Sequence, residues 1–266
     1  MRKVYILPNL FTAGSLFCGM LAIFEILGSY IQDNAPSAVP DACFLILISA
    51  LLDVCDGAVA RLTRSASFFG LNFDSLSDLV AFGVAPAILA FSACWAAYPR
   101  LAAAVCSLYT ICGALRLARF NVQATREEKK SFHGLPIPGA ALAAISLTWL
   151  FDANPALAAH LPKETILPPA MVVLAYLMVS KVPFYGLKSI NFGGRQHFEI
   201  LVTIVVIACL IFLLKQHLDV VLAAVAWSYV LISAAVGLLQ HPAPVPDEAP
   251  LSAPPSSPSR PNRTRE

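Results

Sequence analysis

Long apolar runs alternate with short polar stretches along the chain, and this pattern is typical of a protein that crosses a membrane repeatedly. Each run is about 20 residues long, the length at which an α-helix spans the hydrocarbon core of a bilayer. The pattern therefore predicts an all-α fold, a polytopic bundle of about eight transmembrane helices at residues 5–30, 41–62, 73–97, 100–120, 135–152, 166–182, 198–214 and 217–239.

The composition supports this prediction. Hydrophobic residues make up 58% of the 266 residues, charged residues only 13%, and the mean hydropathy is +0.72. A soluble domain of this length would carry about 25% charged residues. The lipid bilayer is thus an expected partner, whereas the net charge of +2 gives no reason to expect a nucleic-acid partner.

The basic residues predict how the helices are oriented. If the N-terminus is cytoplasmic, fifteen of the 18 lysines and arginines fall on the cytoplasmic side, and the others are Arg100, Lys163 and Lys215. This positive-inside bias predicts that both termini are cytoplasmic. The chain starts with a basic segment, but no small-x-small cleavage site follows its apolar run, so we expect a retained first helix. We expect the protein to be in the cell (inner) membrane.

Two regions are expected along the chain. Residues 1–240 form one integral-membrane domain. Residues 241–266 are rich in proline and serine and cannot bury enough apolar surface to fold, which predicts a disordered cytoplasmic tail. The seven cysteines are spread singly through the apolar runs, without the clustering of a zinc site, and are interpreted as small core hydrophobes.

Four aspartates interrupt the apolar pattern in the segment DVCDGAVARLTRSASFFGLNFDSLSD, residues 53–78. On the second helix, a spacing of i, i+3, i+4 and i+7 places four residues on the same face, namely Asp53, Asp56, Gly57 and Ala60. On the third helix a spacing of i, i+4 and i+8 does the same for Gly70, Asp74 and Asp78. A short turn at residues 62–69 joins the helices, so we expect all four carboxylates to meet near the cytoplasmic surface.

Such a group of acids needs compensation inside a membrane. An ionised carboxylate in hydrocarbon costs several kcal/mol unless it is paired, so four acids on two facing stripes are poorly explained as isolated interfacial residues. Divalent cations can hold four close carboxylates ionised, and hard oxygen ligands suit Mg²⁺ or Mn²⁺. The small residues Gly57, Ala60 and Gly70 leave space for a ligand beside them.

At these positions the chain resembles the CDP-alcohol phosphatidyltransferase family. Its signature is matched at eight fixed positions, namely Asp53, Asp56, Gly57, Ala60, Arg61, Gly70, Asp74 and Asp78. The resemblance implies two divalent cations, Mg²⁺ or Mn²⁺, that bind the pyrophosphate of a CDP-linked lipid, from which an alcohol hydroxyl displaces CMP. It implies that the first three aspartates ligate metal, and that Asp78 both contacts metal and serves as the base. It assigns the remaining signature positions to CDP-lipid binding, and it implies a homodimer.

Further stretches concern the alcohol acceptor. ALRLARFN, residues 114–121, contains Arg116, Arg119 and Asn121, and SKVPFYGLK, residues 180–188, contains Lys181 and Lys188. Two interpretations of the arginines stay open. They either anchor a helix at the cytoplasmic surface or bind an anion, which is the lipid phosphate or an acceptor carboxylate.

Together with F-x-GLPIP (residues 132–138) and PNLFTAGSLFCG (residues 8–19), these stretches resemble the phosphatidylserine synthase branch of the family. That resemblance implies CDP-diacylglycerol as donor and L-serine as acceptor. Asn9 and Thr12 either hydrogen-bond the cytosine of the donor or satisfy backbone groups in the first helix. The alternatives are the same chemistry with glycerol 3-phosphate, inositol or choline, an intramembrane prenyltransferase, or a transporter.

Overall fold

The computed structural model describes residues 6–31, 37–62, 67–94, 96–125, 134–180 and 217–239, and every regular element in these ranges is helical. In chain order the elements are α1 (Ile6–Ile31), α2 (Val39–Leu62), α3 (Phe68–Asp78), a π-helical segment (Leu79–Val84), α4 (Ala85–Cys94), α5 (Pro99–Thr125), α6 (Ile137–Ala153), α7 (Pro155–His160), α8 (Lys163–Val179) and α9 (Leu218–Leu239).

Five described stretches are long and apolar enough to cross a membrane, namely Asn9–Ile31, Val39–Val59, Phe68–Cys94, Pro99–Val122 and Leu218–Val236. They correspond to five of the eight predicted spans. The fifth and sixth predictions correspond to α6 and α8, which have 17 residues each and are therefore about 26 Å long, slightly less than the hydrocarbon core. The seventh predicted span and the tail at 241–266 lie outside the described residues. The protein is therefore an integral membrane protein whose regular elements, within the described ranges, are all helices.

The turn between α2 and α3 is shorter than predicted. Phe68 and Phe69 were expected in this turn, but α3 begins at Phe68 and the third span therefore starts five residues before the predicted 73. The reason is Ser67, which takes an extended backbone conformation and accepts a hydrogen bond from the Gly70 N–H through its side chain, at 2.9 Å. Because this N-cap satisfies a donor in the first helical turn, the helix starts immediately after it.

Small residues allow α1 to pack closely against its neighbours. The hydroxyls of Ser15 and Ser49 lie 2.7 Å apart between α1 and α2, and Ser49 also donates to the Ser15 carbonyl at 3.0 Å. Further along α1, a Cβ on Gly19 would lie only 2.7 Å from the Cα of Ala81 in the π-helical segment. Glycine is therefore required where α1 crosses the segment that follows α3.

The centre of the bundle is α6, whose alanines Ala140, Ala141, Ala143 and Ala144 are buried against surrounding helices. Small side chains let helix backbones approach closely. Close packing drives helix association in a membrane, because lipid tails are as apolar as the side chains and the hydrophobic effect gives no driving force between helices. The start of α6 is fixed to the end of α8 because the Leu135 N–H donates to the Leu177 carbonyl at 3.0 Å.

Candidate active site

Three carboxylates meet where α2 and α3 come together. Asp53, Asp74 and Asp78 are half-buried, and one oxygen of each lies within 4.8 Å of the others. Ionised carboxylates this close repel one another unless a cation lies between them. Carboxylate oxygens are the hard ligands that Mg²⁺ and Mn²⁺ prefer, so the donor set fits the predicted metal. We call these three residues the acid trio.

The aspartates in the second half of the chain have structural partners instead. The Ser37 hydroxyl donates one hydrogen bond that is shared by both carboxylate oxygens of Asp152, each at 2.9 Å, and Asp219 accepts a hydrogen bond of 2.8 Å from the Asn154 amide. In the part of the chain that the structure describes, the acid trio is the only close group of three or more His, Cys, Asp or Glu side chains. A second acidic cluster, as a prenyltransferase would require, is not found in those residues.

The fourth predicted ligand, Asp56, lies one turn beyond Asp53 on α2 and is not a member of the acid trio. Its side chain is buried, with 7% exposed, and the Thr12 hydroxyl of α1 donates a hydrogen bond to its Oδ2. A buried carboxylate needs such a donor. Thr12, which the sequence assigns either to the cytosine of the CDP-lipid or to backbone groups of the first helix, thus supports a predicted metal ligand in this structure.

Thr12 also holds α3. The Ser77 hydroxyl, located between two members of the acid trio in sequence, donates to the Thr12 carbonyl at 3.0 Å, and both side chains are buried. One residue of α1 is thus bonded to both acid-bearing helices, through its hydroxyl to Asp56 and through its carbonyl to Ser77. This arrangement fixes the separation of α2 and α3 at the site.

Immediately after Asp78 the helix widens into the π-helical segment, and Pro86 explains why. Proline has no N–H, so it cannot make the α-helical bond to the Phe82 carbonyl four residues earlier. The Tyr109 hydroxyl of α5 donates to that carbonyl instead, at 3.1 Å. The Thr110 hydroxyl lies 3.3 Å from the Gly83 carbonyl and shares its proton with the Cys106 carbonyl of α5, at 3.1 Å. Such π-helical insertions are frequent at functional sites.

The π-helical segment determines the direction in which the acids of α3 face. One extra residue in a helical turn rotates the preceding helix by about 100° relative to the following one. The acidic face of α3 can therefore meet α2 while α4 keeps Leu89 and Ala90 in the core. Sequence analysis missed this device, although Pro86 inside an apolar run was its visible signal.

Among the basic candidates, Arg116 of α5 lies near the acid trio. It interacts electrostatically with the Asp78 carboxylate and with the Tyr229 hydroxyl of α9. Its Nε is buried and has no hydrogen-bond partner in the described part of the chain. Arg119 is exposed. This difference favours anion binding for Arg116 and surface anchoring for Arg119.

The other predicted site residues lie in different parts of the structure. Asn121 donates from Nδ2 to the Ser75 hydroxyl of α3 at 2.9 Å, so it holds α3 against α5. A Cβ on Gly70 would lie 3.1 Å from the Ser67 hydroxyl and 3.5 Å from Oδ1 of Asn9, so Asn9 lies against the first turn of α3. Gly57 is half-buried on α2. The side chains of Ala60 and Arg61, and all of Lys181 and Lys188, lie outside the described part of the chain.

A comparison with protein families agrees with this geometry. The model of the CDP-alcohol phosphatidyltransferase family matches residues 5–179, which include α1 to α8 with the acid trio and Arg116. The chain belongs to the CDP-alcohol phosphatidyltransferase family. A CDP-alcohol phosphatidyltransferase is an enzyme, and the acid trio lies within the region that defines this family.

Several curated proteins are similar to this CDP-alcohol phosphatidyltransferase. A CDP-diacylglycerol–serine O-phosphatidyltransferase of Helicobacter pylori is 37% identical over 201 residues, which cover 76% of this chain and 81% of the relative. One of Bacillus subtilis is 36% identical over 183 residues, 69% of this chain and 92% of the relative. An archaetidylserine synthase of Methanothermobacter thermautotrophicus is 41% identical over 145 residues, 54% of this chain and 57% of the relative.

Proposed function

We propose that this enzyme transfers the phosphatidyl group of CDP-diacylglycerol to L-serine, forming phosphatidylserine and releasing CMP. The observation that carries the proposal is the acid trio together with Arg116, because a carboxylate cluster suited to divalent metal and a half-buried cation that interacts electrostatically with Asp78 then share one site. The names of the relatives support serine as the acceptor.

In this proposal the acid trio holds a pair of Mg²⁺ or Mn²⁺ ions, with Asp56 as a fourth ligand. The Thr12 hydroxyl takes one oxygen of Asp56, and we assign the other oxygen to metal. When bound, such a pair neutralises the pyrophosphate and stabilises the attacking and leaving oxygens of a phosphoryl displacement. The protein's part is to hold the carboxylates at the required separation.

The acceptor side of the site is assigned to Asp78 and Arg116. The hydroxyl of serine is essentially un-ionised at pH 7, and a positioned base contributes about 10²–10⁴-fold to the rate. Asp78 takes the hydroxyl proton as the serine oxygen bonds to phosphorus and the bond from phosphorus to the CMP oxygen breaks. Arg116 binds the serine carboxylate through its planar guanidinium.

We further propose that the active site faces the cytoplasm of the cell (inner) membrane. The support is the distribution of basic residues, which also assigns both termini to the cytoplasmic side. We also propose that the membrane domain ends at residue 240. The family resemblance further implies that the enzyme is a homodimer.

The experiment is an acceptor comparison with the purified full chain in phospholipid vesicles. CDP-diacylglycerol and Mn²⁺ are supplied, serine, glycerol 3-phosphate, inositol and choline are offered in turn, and CMP release and lipid product are measured. We expect product with serine and none without divalent metal. Product with glycerol 3-phosphate but not with serine would reject the proposed acceptor, and the absence of CMP release with every acceptor would reject the reaction.

A further inference from the structure

A polar cavity lies at the end of the bundle opposite the acid trio. Its volume is about 210 Å³, and its wall includes Tyr30, Val39 and Ala93, each of which lies at or next to the end of a stretch long enough to cross a membrane. Along the axis of α2, Val39 and Asp53 are about 21 Å apart. The cavity and the candidate active site are therefore at opposite ends of the membrane-spanning helices.

Tyr30 indicates that the cavity lies at the level of the lipid headgroups. Its side chain is exposed, and its hydroxyl donates to the Ser92 carbonyl at 2.9 Å, so the polar end of the ring is held at the cavity wall. Tyr98, between α4 and α5, is also exposed at this end of the bundle. Tyrosine is enriched where a membrane meets water, because it combines an apolar ring with a polar tip. A phospholipid headgroup can reach a cavity at this level.

Two opposite charges line the cavity without pairing. Asp152 at the end of α6 and Lys163 at the start of α8 are both half-buried, and no ion pair joins them although both belong to the described part of the chain. The Ser37 hydroxyl supplies Asp152 with one shared proton, whereas an ionised carboxylate can accept about four hydrogen bonds. Partial burial of a charge is costly unless the charge is compensated. An acceptor and a cation thus remain for a ligand.

The hydroxyls in the wall add further acceptors. Ser29, Ser92 and Thr148 each donate their proton to a carbonyl of their own helix, at 2.8, 2.7 and 3.0 Å. Because these protons are used, the hydroxyl oxygens are left to accept hydrogen bonds from a ligand. A primary ammonium has three N–H donors, which match the Asp152 carboxylate together with these oxygens. A quaternary ammonium has none.

We propose that this cavity binds the headgroup of an aminophospholipid, with the primary ammonium at Asp152 and the phosphate at Lys163. Pockets for drug-sized ligands measure about 300–1,000 Å³, so a cavity of about 210 Å³ suits a headgroup rather than a whole lipid. Leu27, three residues before Tyr30 on α1, is exposed and offers an apolar surface to an acyl chain. The proposal is independent of the acceptor that is used at the acid trio.

The test is lipid binding by the purified full chain in detergent micelles. Short-chain phosphatidylethanolamine, phosphatidylcholine and phosphatidylglycerol are titrated, and dissociation constants are obtained from the rise in the thermal unfolding midpoint. The first lipid has a primary ammonium, the second a quaternary ammonium without an N–H, and the third no ammonium. Hydrogen bonds to charged groups typically change affinity about tenfold. We expect phosphatidylethanolamine to bind about tenfold more tightly than either of the others.

Substitutions in the cavity wall locate the binding site. Asp152→Asn should abolish the preference for phosphatidylethanolamine over phosphatidylcholine, because the charge that the ammonium pairs with is removed. Lys163→Gln should weaken all three lipids by a similar factor, because each has a phosphate. Asp41→Asn and Arg100→Gln are the matched controls. Both residues are exposed charges at the same end of the bundle that do not line the cavity, and these variants should give wild-type constants.

Three results would overturn the proposal. Equal dissociation constants for phosphatidylethanolamine and phosphatidylcholine in the wild-type protein would do so, and this comparison requires no variant to fold. An unchanged preference in Asp152→Asn would place the binding elsewhere. The third result concerns phosphoethanolamine, the free headgroup, which we expect to bind more weakly than the lipid. Binding as tight as that of phosphatidylethanolamine would mean that the ligand is a soluble zwitterion and not a lipid.

Discussion

The crossing of α1 over the π-helical segment gives the sharpest prediction, which concerns Gly19→Ala. A Cβ at this position would lie 2.7 Å from the Cα of Ala81, 2.9 Å from its Cβ and 3.3 Å from its N. Carbon atoms in contact normally lie about 3.5–4.0 Å apart, so the two backbones must separate by about 1 Å. The atoms that the new Cβ meets are the N, Cα and Cβ of an alanine, which has no rotamer to change, so only a backbone shift can relieve the overlap.

We expect Gly19→Ala to reduce turnover more than it reduces the free energy of unfolding. Overpacking typically lowers the free energy of unfolding by about 1–3 kcal/mol, whereas replacing a helical glycine by alanine raises it by about 1 kcal/mol. The net loss of folding free energy is therefore about 0–2 kcal/mol. Ala81 follows Asp78 by three residues, and a misplacement of about 1 Å at a reacting group can reduce the rate about a hundredfold. We expect turnover to fall at least about tenfold with a modest loss of thermal stability.

Two other glycines of the same helix provide matched controls. A Cβ on Gly28 would meet nothing within 4 Å, and one on Gly14 would meet only the Cδ1 of Leu52, at 3.3 Å, which can rotate away. CMP release in vesicles and a thermal unfolding midpoint are measured for all three alanine variants. The expected order of activity is Gly28→Ala, then Gly14→Ala, then Gly19→Ala. Equal turnover in Gly19→Ala and Gly28→Ala would refute the reasoning.

Three further substitutions test the supports of the site. Asp78→Asn should still bind CDP-diacylglycerol with metal but react at least about a hundredfold more slowly in a single turnover; weakened binding with unchanged chemistry would contradict the base role. Thr12→Val removes the donor to buried Asp56 and should lower stability by about 1–3 kcal/mol, measured by thermal unfolding, whereas an unchanged midpoint would show that the bond contributes nothing. Tyr109→Phe leaves the Phe82 carbonyl without its side-chain donor and should lower kcat with an unchanged KM for CDP-diacylglycerol; full activity would mean that the π-helical segment does not depend on this bond.

Much of the acid trio could be predicted because it depends on local spacing. Asp74 and Asp78 are one helical turn apart, and a short turn brings Asp53 opposite them, so helical period and connectivity are sufficient. The positions of the apolar helices were predictable for the same reason. The start predicted for the third span, residue 73, was five residues late, because a single N-cap, Ser67, decides where α3 begins.

Other parts of the site depend on packing between distant segments, which no local pattern encodes. Thr12 and Asp56 are 44 residues apart, and the Tyr109 hydroxyl bonds a carbonyl 27 residues earlier. A sequence shows that such polar residues lie in apolar helices, but their partners follow from the three-dimensional arrangement of the helices.

The double attachment of Thr12 has a consequence for how this site can vary. Its hydroxyl and carbonyl join Asp56 of α2 and Ser77 of α3, so three helices share one polar joint. Residues in one hydrogen-bonded network do not contribute additively to stability. The three positions therefore behave as one thermodynamic unit, and a change that is tolerated at one of them depends on what occupies the other two. An engineered variant of this site therefore has to change Thr12, Asp56 and Ser77 together.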